Sequence, residues 1–202
     1  MSEILAYGLS VVTAPAAEIM TAAQAKLWAR VDTTADDDIF TALIVAVRQQ
    51  IEAHCNVTLI NTTYDLKLDA WPAYGPVYLP RGPLSSVTSI TYVASDGTST
   101  VWASTNYVVD TSHPSGRIGL ADGVSWPTLQ NRISPITIRY VAGYGATSAS
   151  VHDAILIAAR ILLTDLYENR QVEITGTIVS EHKAVANLLR LYENKNICLG
   201  AY

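Results

Sequence analysis

The stretch DDDIFTALIVAVRQQIEAHC, residues 36–55, decides how the rest of the chain can fold. Its large apolar side chains recur every three or four residues, which is the spacing of one face of an α-helix. These positions are Phe40, Leu43, Ile44, Val47 and Ile51. The pattern predicts an amphipathic helix that ends near His54 or Cys55. Because such a helix must bury its apolar face against another element, the chain should contain a partner for it.

That partner is predicted near the other end of the chain. Residues 151–167 are apolar nearly all round, with Arg160 and Asp165 as interruptions, and such a helix is typically the central one of a bundle. No other segment is long and apolar enough, so we predict that the two helices pack on each other. A shorter helix is predicted from a capping box, formed by Thr21 and Gln24, through about Trp28.

Between the two long helices the period of the pattern changes to two residues. The alternation predicts strands at 63–69, 87–94 and 136–141, with shorter ones at 77–79, 107–109 and 117–120. The turn at 95–98 contains Asp-Gly, which accepts positive φ and predicts a hairpin. All these connections are short, so the sheet is expected to be mostly antiparallel.

The predicted fold is therefore α+β: a small helical bundle with an inserted, mostly antiparallel β-rich lobe, a flexible N-terminal arm and a C-terminal tail helix. By residue, the prediction assigns 1–20 to the arm, 21–56 and 151–170 to the helical core, 57–142 to the β-rich insertion, and 171–202 to an extended linker and the C-terminal helix. The amphipathic stripe of that last helix either folds back on the core or is offered to a partner.

Composition limits the classes of function. Hydrophobic residues make up 50% of the 202 residues and charged residues 15%, which favours one ordinary globular unit. The net charge is −5, and the basic residues form no run, so tight DNA binding is disfavoured. Cys55 and Cys198 lie too far apart in sequence for a zinc or redox motif, and reduced thiols are expected. No signal peptide or membrane span is predicted, so the protein is expected to be soluble.

The search for catalytic groups gives a negative prediction. No serine lies in a Gly-x-Ser-x-Gly motif. The four histidines are isolated in sequence: His54, His113, His152 and His182. We predict no catalytic, cofactor-binding or metal-binding residues, and therefore no enzyme.

Three motifs allow a second interpretation. Asp36, Asp37 and Asp38 suit the first turn of a helix, where the helix dipole favours negative charge, although a metal site is the alternative. The segment 143–145, Gly-Tyr-Gly, suits a joint between strand and helix rather than a phosphate-binding loop. The tryptophans fit the ends of strands better than a platform for stacking sugars: Trp71, Trp102 and Trp126.

The order of four segments resembles the head–tail connector, or adaptor, proteins of tailed bacteriophages, which also occur in gene-transfer particles. These segments are TAAQAKLWARVDTTADDDIFTALIVAVRQQIEAHCNVTLINTTYDLKLDAWP at 21–72, YLPRGPLSSVTSITYV at 78–93, RYVAGYG at 139–145 and AILIAARILLTDLYENRQ at 154–171. The resemblance covers roughly residues 20 to 171 and rests on the order of the segments, because the family has no catalytic signature.

The resemblance implies a structural protein of the virion neck, made in the host cytoplasm. Such a protein forms a homo-oligomeric ring of about a dozen copies beneath the portal protein, extends the DNA channel and offers a docking platform to tail-terminator or stopper proteins. By the same resemblance, contact with the portal protein is assigned to Leu188, Leu189, Leu191 and Tyr192. We further expect DNA to pass without tight binding, with the acidic residues 36–38 turned towards the channel. The alternatives are another neck or tail-completion protein of the virion, and a carbohydrate-binding or hydrolytic domain.

Overall fold

The computed structural model describes residues 7–169 and 183–194. In chain order the elements are β1 (Tyr7–Thr13), α1 (Ala22–Ala29), α2 (Asp37–Cys55), β2 (Thr62–Leu68), β3 (Val77–Tyr78), β4 (Leu84–Val93), β5 (Ser99–Trp102), β6 (Tyr107–Asp110), β7 (Arg117–Leu120), β8 (Ile136–Ala142), α3 (Asp153–Glu168) and α4 (Lys183–Leu189). Helices and antiparallel sheets are combined, so the predicted α+β class is confirmed.

The helices share one apolar core, in which α2 and α3 pack together as predicted. The face of α2 that the sequence identified is buried, and the ring of Phe40 stacks on Tyr167 of α3 with centroids 4.5 Å apart. Helix α1 adds Ala25 to this core, and its predicted capping box is present, because Thr21 and Gln24 each bond the other's backbone N–H. Helices α2 and α3 thus bury each other's apolar faces, although most of the β-strands lie between them in sequence.

Five strands form the larger sheet, in the order β1-β2-β8-β4-β5, and every ladder within it is antiparallel. One face carries the buried residues Leu66, Ile138 and Ile90, which lie side by side on neighbouring strands. The opposite face carries polar partners, among them Arg139, whose guanidinium donates two hydrogen bonds to Asp65. We call these the core face and the outer face of the sheet.

A second sheet has three strands in the order β3-β7-β6, and it covers the core face of the first. Ile118 of β7 and Val77 of β3 are buried in the same cluster as Leu66 and Ile138. The sequence indicated these strands without indicating that they form a sheet of their own. The β-rich region therefore has an apolar core distinct from that of the helices.

The N-terminal segment differs from the prediction. The sequence predicted an arm without regular structure over residues 1–20, whereas Tyr7–Thr13 form strand β1, which pairs with β2. Ile19 and Met20 are buried in the helical core. Strand β1 escaped prediction because it is an edge strand that exposes most of its side chains, so its sequence lacks the alternation of a half-buried strand.

The C-terminal helix folds back on the helical core, which is one of the two outcomes left open by the sequence. Val185 and Leu189 of α4 are buried there, and Leu188 and Tyr192 pack against the same cluster. The predicted extended linker from 171 to 182 lies outside the described residues.

Candidate functional site

The four residues predicted to contact a portal protein do not lie on one exposed surface. Leu189 is only 2% exposed, and Leu188 and Tyr192 are partly buried against the helical core. Leu191 is 82% exposed. Helix α4 ends at Leu189, and in the turn that follows, where the Tyr192 N–H donates to the Leu189 carbonyl, Tyr192 packs back on the core while Leu191 projects. Of the four, Leu191 is thus the residue that a partner can reach without displacing α4.

The turn that carries Leu191 is fixed at both sides. The ring of Tyr192 stacks on His152 with centroids 4.8 Å apart, and Nε2 of His54 lies 3.6 Å from Oε1 of Glu193. The backbone N–H of Asn194 donates to the carbonyl oxygen of Cys55 at the end of α2. These contacts hold residues 190–194 against the helical body and leave Leu191 projecting.

Asn194 also reaches the β-rich region. Its side-chain Nδ2 lies 3.0 Å from Oγ of Ser115, and the Ser115 hydroxyl in turn lies 3.3 Å from Oδ1 of Asn194. Ser115 is almost fully buried, just before β7. Asn194 thereby connects the C-terminal end of α2 to the loop between β6 and β7 of the smaller sheet.

The acidic segment 36–38 begins α2, as the helix-terminus interpretation predicted. Asp37 and Asp38 lie in the first turn, and Asp36 is the residue that precedes it. Two of the three carboxylates are engaged within the chain, since Tyr167 donates a hydrogen bond to Asp36 and Lys26 forms a 2.6 Å ion pair with Asp37. Asp38 is exposed. Within residues 7–169 and 183–194, no group of three or more His, Cys, Asp or Glu side chains is placed to hold a metal ion.

A buried ionic cluster was not foreseen from the sequence. Arg48 of α2 donates two hydrogen bonds to Glu18 and one to Glu52, which lies one helical turn further along. The other oxygen of Glu52 accepts from the backbone N–H of Leu59, and Arg81 donates to the Glu52 carbonyl. The sequence signal was an Arg and a Glu spaced by four on the apolar side of α2, but Glu18 is distant in sequence and nothing local indicated it.

Burial governs the electrostatics of this cluster. Desolvation raises the pKa of Glu52, although the Leu59 N–H and Arg48 oppose the shift. Burial alone would lower the pKa of Arg48, but its hydrogen bond to Glu18 and the two nearby carboxylates raise that pKa overall. A cleft of about 340 Å³ opens beside the cluster, between α2 and strands β1 and β2. Arg48, which lines this cleft, is paired with Glu18 and Glu52, and Arg81 donates to the backbone carbonyl of Glu52.

Three of the four tryptophans form an internal cluster rather than an open platform. Trp71 stacks on Trp126 at 4.5 Å, and both lie within 5.6 Å of Trp102, whose ring also contacts Tyr107. The indole N–H of Trp71 donates to the carbonyl oxygen of Pro127. The aromatic faces that a sugar would need are therefore in contact with one another, and the interpretation as strand-end packing agrees with the structure.

The Gly-Tyr-Gly segment joins β8 to the turn before α3. The N–H of Gly143 donates to Pro83, and the N–H of Tyr144 donates to Leu59. Because these donors are already bonded to backbone carbonyls, they are not directed at a phosphate group. The segment is the structural joint that the sequence favoured.

The chain matches a known protein family over most of its length. The family model described as head completion protein matches residues 18–184, which is most of the chain. The chain belongs to the head completion protein family. This match confirms the relationship to head–tail proteins of tailed phages that the order of the four segments indicated.

Solved structures of similar fold include chains of gene transfer agent particles. A chain in the neck of an empty gene transfer agent (GTA) particle, computed with C6 symmetry, superposes with a TM-score of 0.75 at 22% identity, covering 93% of this chain and 95% of that one. A chain in the virion of a native GTA particle gives 0.72 at 22% identity, covering 92% and 95%. A chain in the neck of a native GTA particle, computed with C12 symmetry, gives 0.70 at 21% identity, covering 93% and 95%.

No curated protein matches the sequence. None of the helices in residues 7–169 and 183–194 is both long enough and apolar enough to span a membrane.

Proposed function

We propose that this protein is a structural, non-catalytic subunit of the neck between capsid and tail in a phage-like particle. The observation that carries the proposal is the match of residues 18–184 to the head completion protein family. The fold of the whole chain supports it, because the GTA neck and virion chains of similar fold correspond to more than nine-tenths of this chain. The second candidate is a different role in the same particle, that of another neck or tail-completion protein.

The working state is a ring of about a dozen copies that continues the DNA channel beneath the portal protein. The C6 and C12 symmetries of the similar necks support a rotational assembly. The net charge of −5 supports passage of DNA without tight binding, since each phosphate contact would slow its movement. Within the ring the helical core serves as the body and the β-rich region as a lobe that offers tail-terminator or stopper proteins a platform.

In this proposal the predicted portal contact and the predicted channel-facing surface are each reduced to one residue. Leu191 is the portal contact, held out by the fixed turn 190–194, whereas Leu188, Leu189 and Tyr192 support that turn from the core. Asp38 is the channel-facing member of the acidic segment, because Asp36 and Asp37 are bound to Tyr167 and Lys26.

Light scattering and negative-stain microscopy of the full chain test the assembly. Annular particles are expected, and a monomer that binds glycans would overturn the proposal. For the portal contact, the test is co-sedimentation of Leu191→Asp with the purified portal protein of the same particle. We expect binding to be lost while thermal stability is unchanged, and the exposed Val108→Asp serves as the matched control. Full binding by Leu191→Asp would remove the portal assignment.

A further inference from the structure

Both ends of the five-stranded sheet are open. Among the described residues, β1 pairs only with β2 and β5 only with β4, so each presents one unpaired row of backbone N–H and C=O groups. Edge strands are commonly protected by charged residues, proline, bulges or short length, and neither YGLSVVT of β1 nor STVW of β5 contains a charged residue or proline. A bulge at Val12 leaves the stretch from Gly8 to Val11 in regular pairing. The two edges therefore have the chemistry of strands that accept another strand.

Both edges expose valine side chains, although Val11, opposite Tyr64, lies on the core-face side of the sheet. Val11 and Val12 are 57% and 44% exposed on β1, and Val101 is 67% exposed on β5. The register places Ser10, opposite Asp65, and Val101, opposite Thr91, on the outer face of the sheet. Thr100, opposite Tyr92, lies on the core-face side. If the two edges were placed together, outer-face side chains of one strand would therefore lie beside outer-face side chains of the other.

The directions of the strands determine how the edges can meet. All four ladders of the sheet are antiparallel, so alternate strands share a direction and β1 runs the same way as β5. A rotation about an axis roughly along the strands keeps their direction, and it therefore places β1 of a second copy parallel to β5 of the first. This contact uses two different surfaces of one chain, and repeating it closes a ring or extends a filament.

We propose that β5 of one copy pairs in parallel with β1 of the next copy, so that the sheets of neighbouring subunits are continuous around the assembly. The occupant of each edge is a second copy of this chain, because the two open edges lie at opposite ends of one sheet and satisfy each other's backbone groups. This inference rests on the proposed function and adds its subunit contact. A strand of four residues gives only about four backbone hydrogen bonds, so one contact is weak and assembly depends on protein concentration.

Disulfide trapping tests the pairing. Neighbouring strands lie about 4.8 Å apart, within the Cα separation that a disulfide accepts. The variant Ser10→Cys/Val101→Cys places both thiols on the outer face, whereas the control Ser10→Cys/Thr100→Cys places them on opposite faces. Both carry Cys198→Ser, and the buried Cys55 is retained. We expect a ladder of disulfide-linked multimers from the first variant at high protein concentration under a mild oxidant, and little from the control.

Each outcome separates this inference from the proposed function. Rings of the unmodified chain together with equal trapping in both variants would overturn the edge pairing and leave the ring. Selective trapping without rings would support the pairing and count against the ring. A chain without oligomers or trapped species at any concentration would overturn both.

A second variant keeps the test independent of thiol chemistry. Val101→Lys alters a side chain that is already exposed, so the monomer is expected to fold normally. It should raise the concentration of half-maximal assembly at least tenfold by placing a charge at the edge. The control Val108→Lys, on β6 of the other sheet, should leave that concentration unchanged. Equal assembly by both lysine variants would contradict the proposal.

Discussion

The hydroxyl of Tyr167, in the last turn of α3, donates a 2.6 Å hydrogen bond to Oδ2 of Asp36, at the start of α2. The two residues are separated by 131 positions, and strands β2 to β8 lie between them in sequence. Their contact joins α2 and α3, the two helices that the sequence predicted to pack together. Both Asp36 and Tyr167 are partly buried. The carboxylate of Asp36 is therefore engaged within the subunit.

Removing this hydroxyl should lower stability measurably. In Tyr167→Phe the stack on Phe40 is kept while the hydrogen bond to a carboxylate is lost, so the free energy of unfolding should fall by about 1.5 kcal/mol. Urea denaturation measures the change. Tyr74→Phe is the control, since Tyr74 is 92% exposed and should shift stability by less than about 0.5 kcal/mol. Equal effects in the two variants would show that the bond to Asp36 contributes nothing.

The buried ionic cluster predicts a pH-dependent defect. Arg48→Met removes the cation from Glu52, which remains buried with the Leu59 N–H as its donor, and about 3 kcal/mol should be lost at pH 7. Because burial raises the pKa of Glu52, the folded state binds its proton more tightly than the unfolded state. The stability of Arg48→Met should therefore rise as pH falls from 7 towards the ordinary pKa of a glutamate.

Denaturation of this variant across that pH range provides the measurement. Arg139→Met is the control, because the Arg139 side chain is 44% exposed and its partner Asp65 lies on the outer face of the sheet, so less stability should be lost than in Arg48→Met. A defect in Arg48→Met that did not change with pH would mean that Glu52 is not the group left uncompensated.

Gly143 should not tolerate a side chain. Its φ is +143°, and a Cβ there would lie 2.6 Å from the backbone nitrogen of Asn61. Gly143→Ala should cost about 3 kcal/mol or prevent folding, because backbone atoms cannot move aside as a flexible side chain can. Gly119→Ala is the matched control on β7, where an added Cβ meets nothing within 4 Å. Circular dichroism during heating compares the two, and similar melting temperatures would contradict the prediction.

Asp110 should contribute to acid sensitivity. Its carboxylate accepts hydrogen bonds from Ser112 and from Arg117, and these lower its pKa to about 2. A lowered folded-state pKa gives stability that is present above the unfolded value of about 3.8 and is lost as pH falls towards 2. Asp110→Asn should therefore show a shallower loss of stability over that range than the unmodified chain. Asp122→Asn, at an exposed loop position, should follow the unmodified chain.

The helices and most strands could be predicted because their signals are local. The apolar period of α2, the capping box of α1 and the Asp-Gly hairpin each depend on residues within one or two turns of chain. Strand β1 had no such signal, since an edge strand with one partner need not alternate in polarity. The division of the strands into two sheets depends on pairings such as Val109 with Ile118, which no local pattern specifies.

The candidate site shows the same limit. The amphipathic stripe of α4 was visible, but the period alone could not say that Leu189 would be buried while Leu191 remained outside. Likewise the acidic run 36–38 was recognised as a helix start, yet its contacts with Lys26 and Tyr167 depend on how three helices meet. Side-chain roles set by distant partners required the structure.

The position of Asn194 has a mechanical consequence. This residue is bonded both to the end of α2 and, through Ser115, to the loop before β7. A load applied at Leu191, three residues earlier, is therefore transmitted to the helical body and to the smaller sheet at the same time. We therefore expect a pull on this turn to load both regions rather than α4 alone.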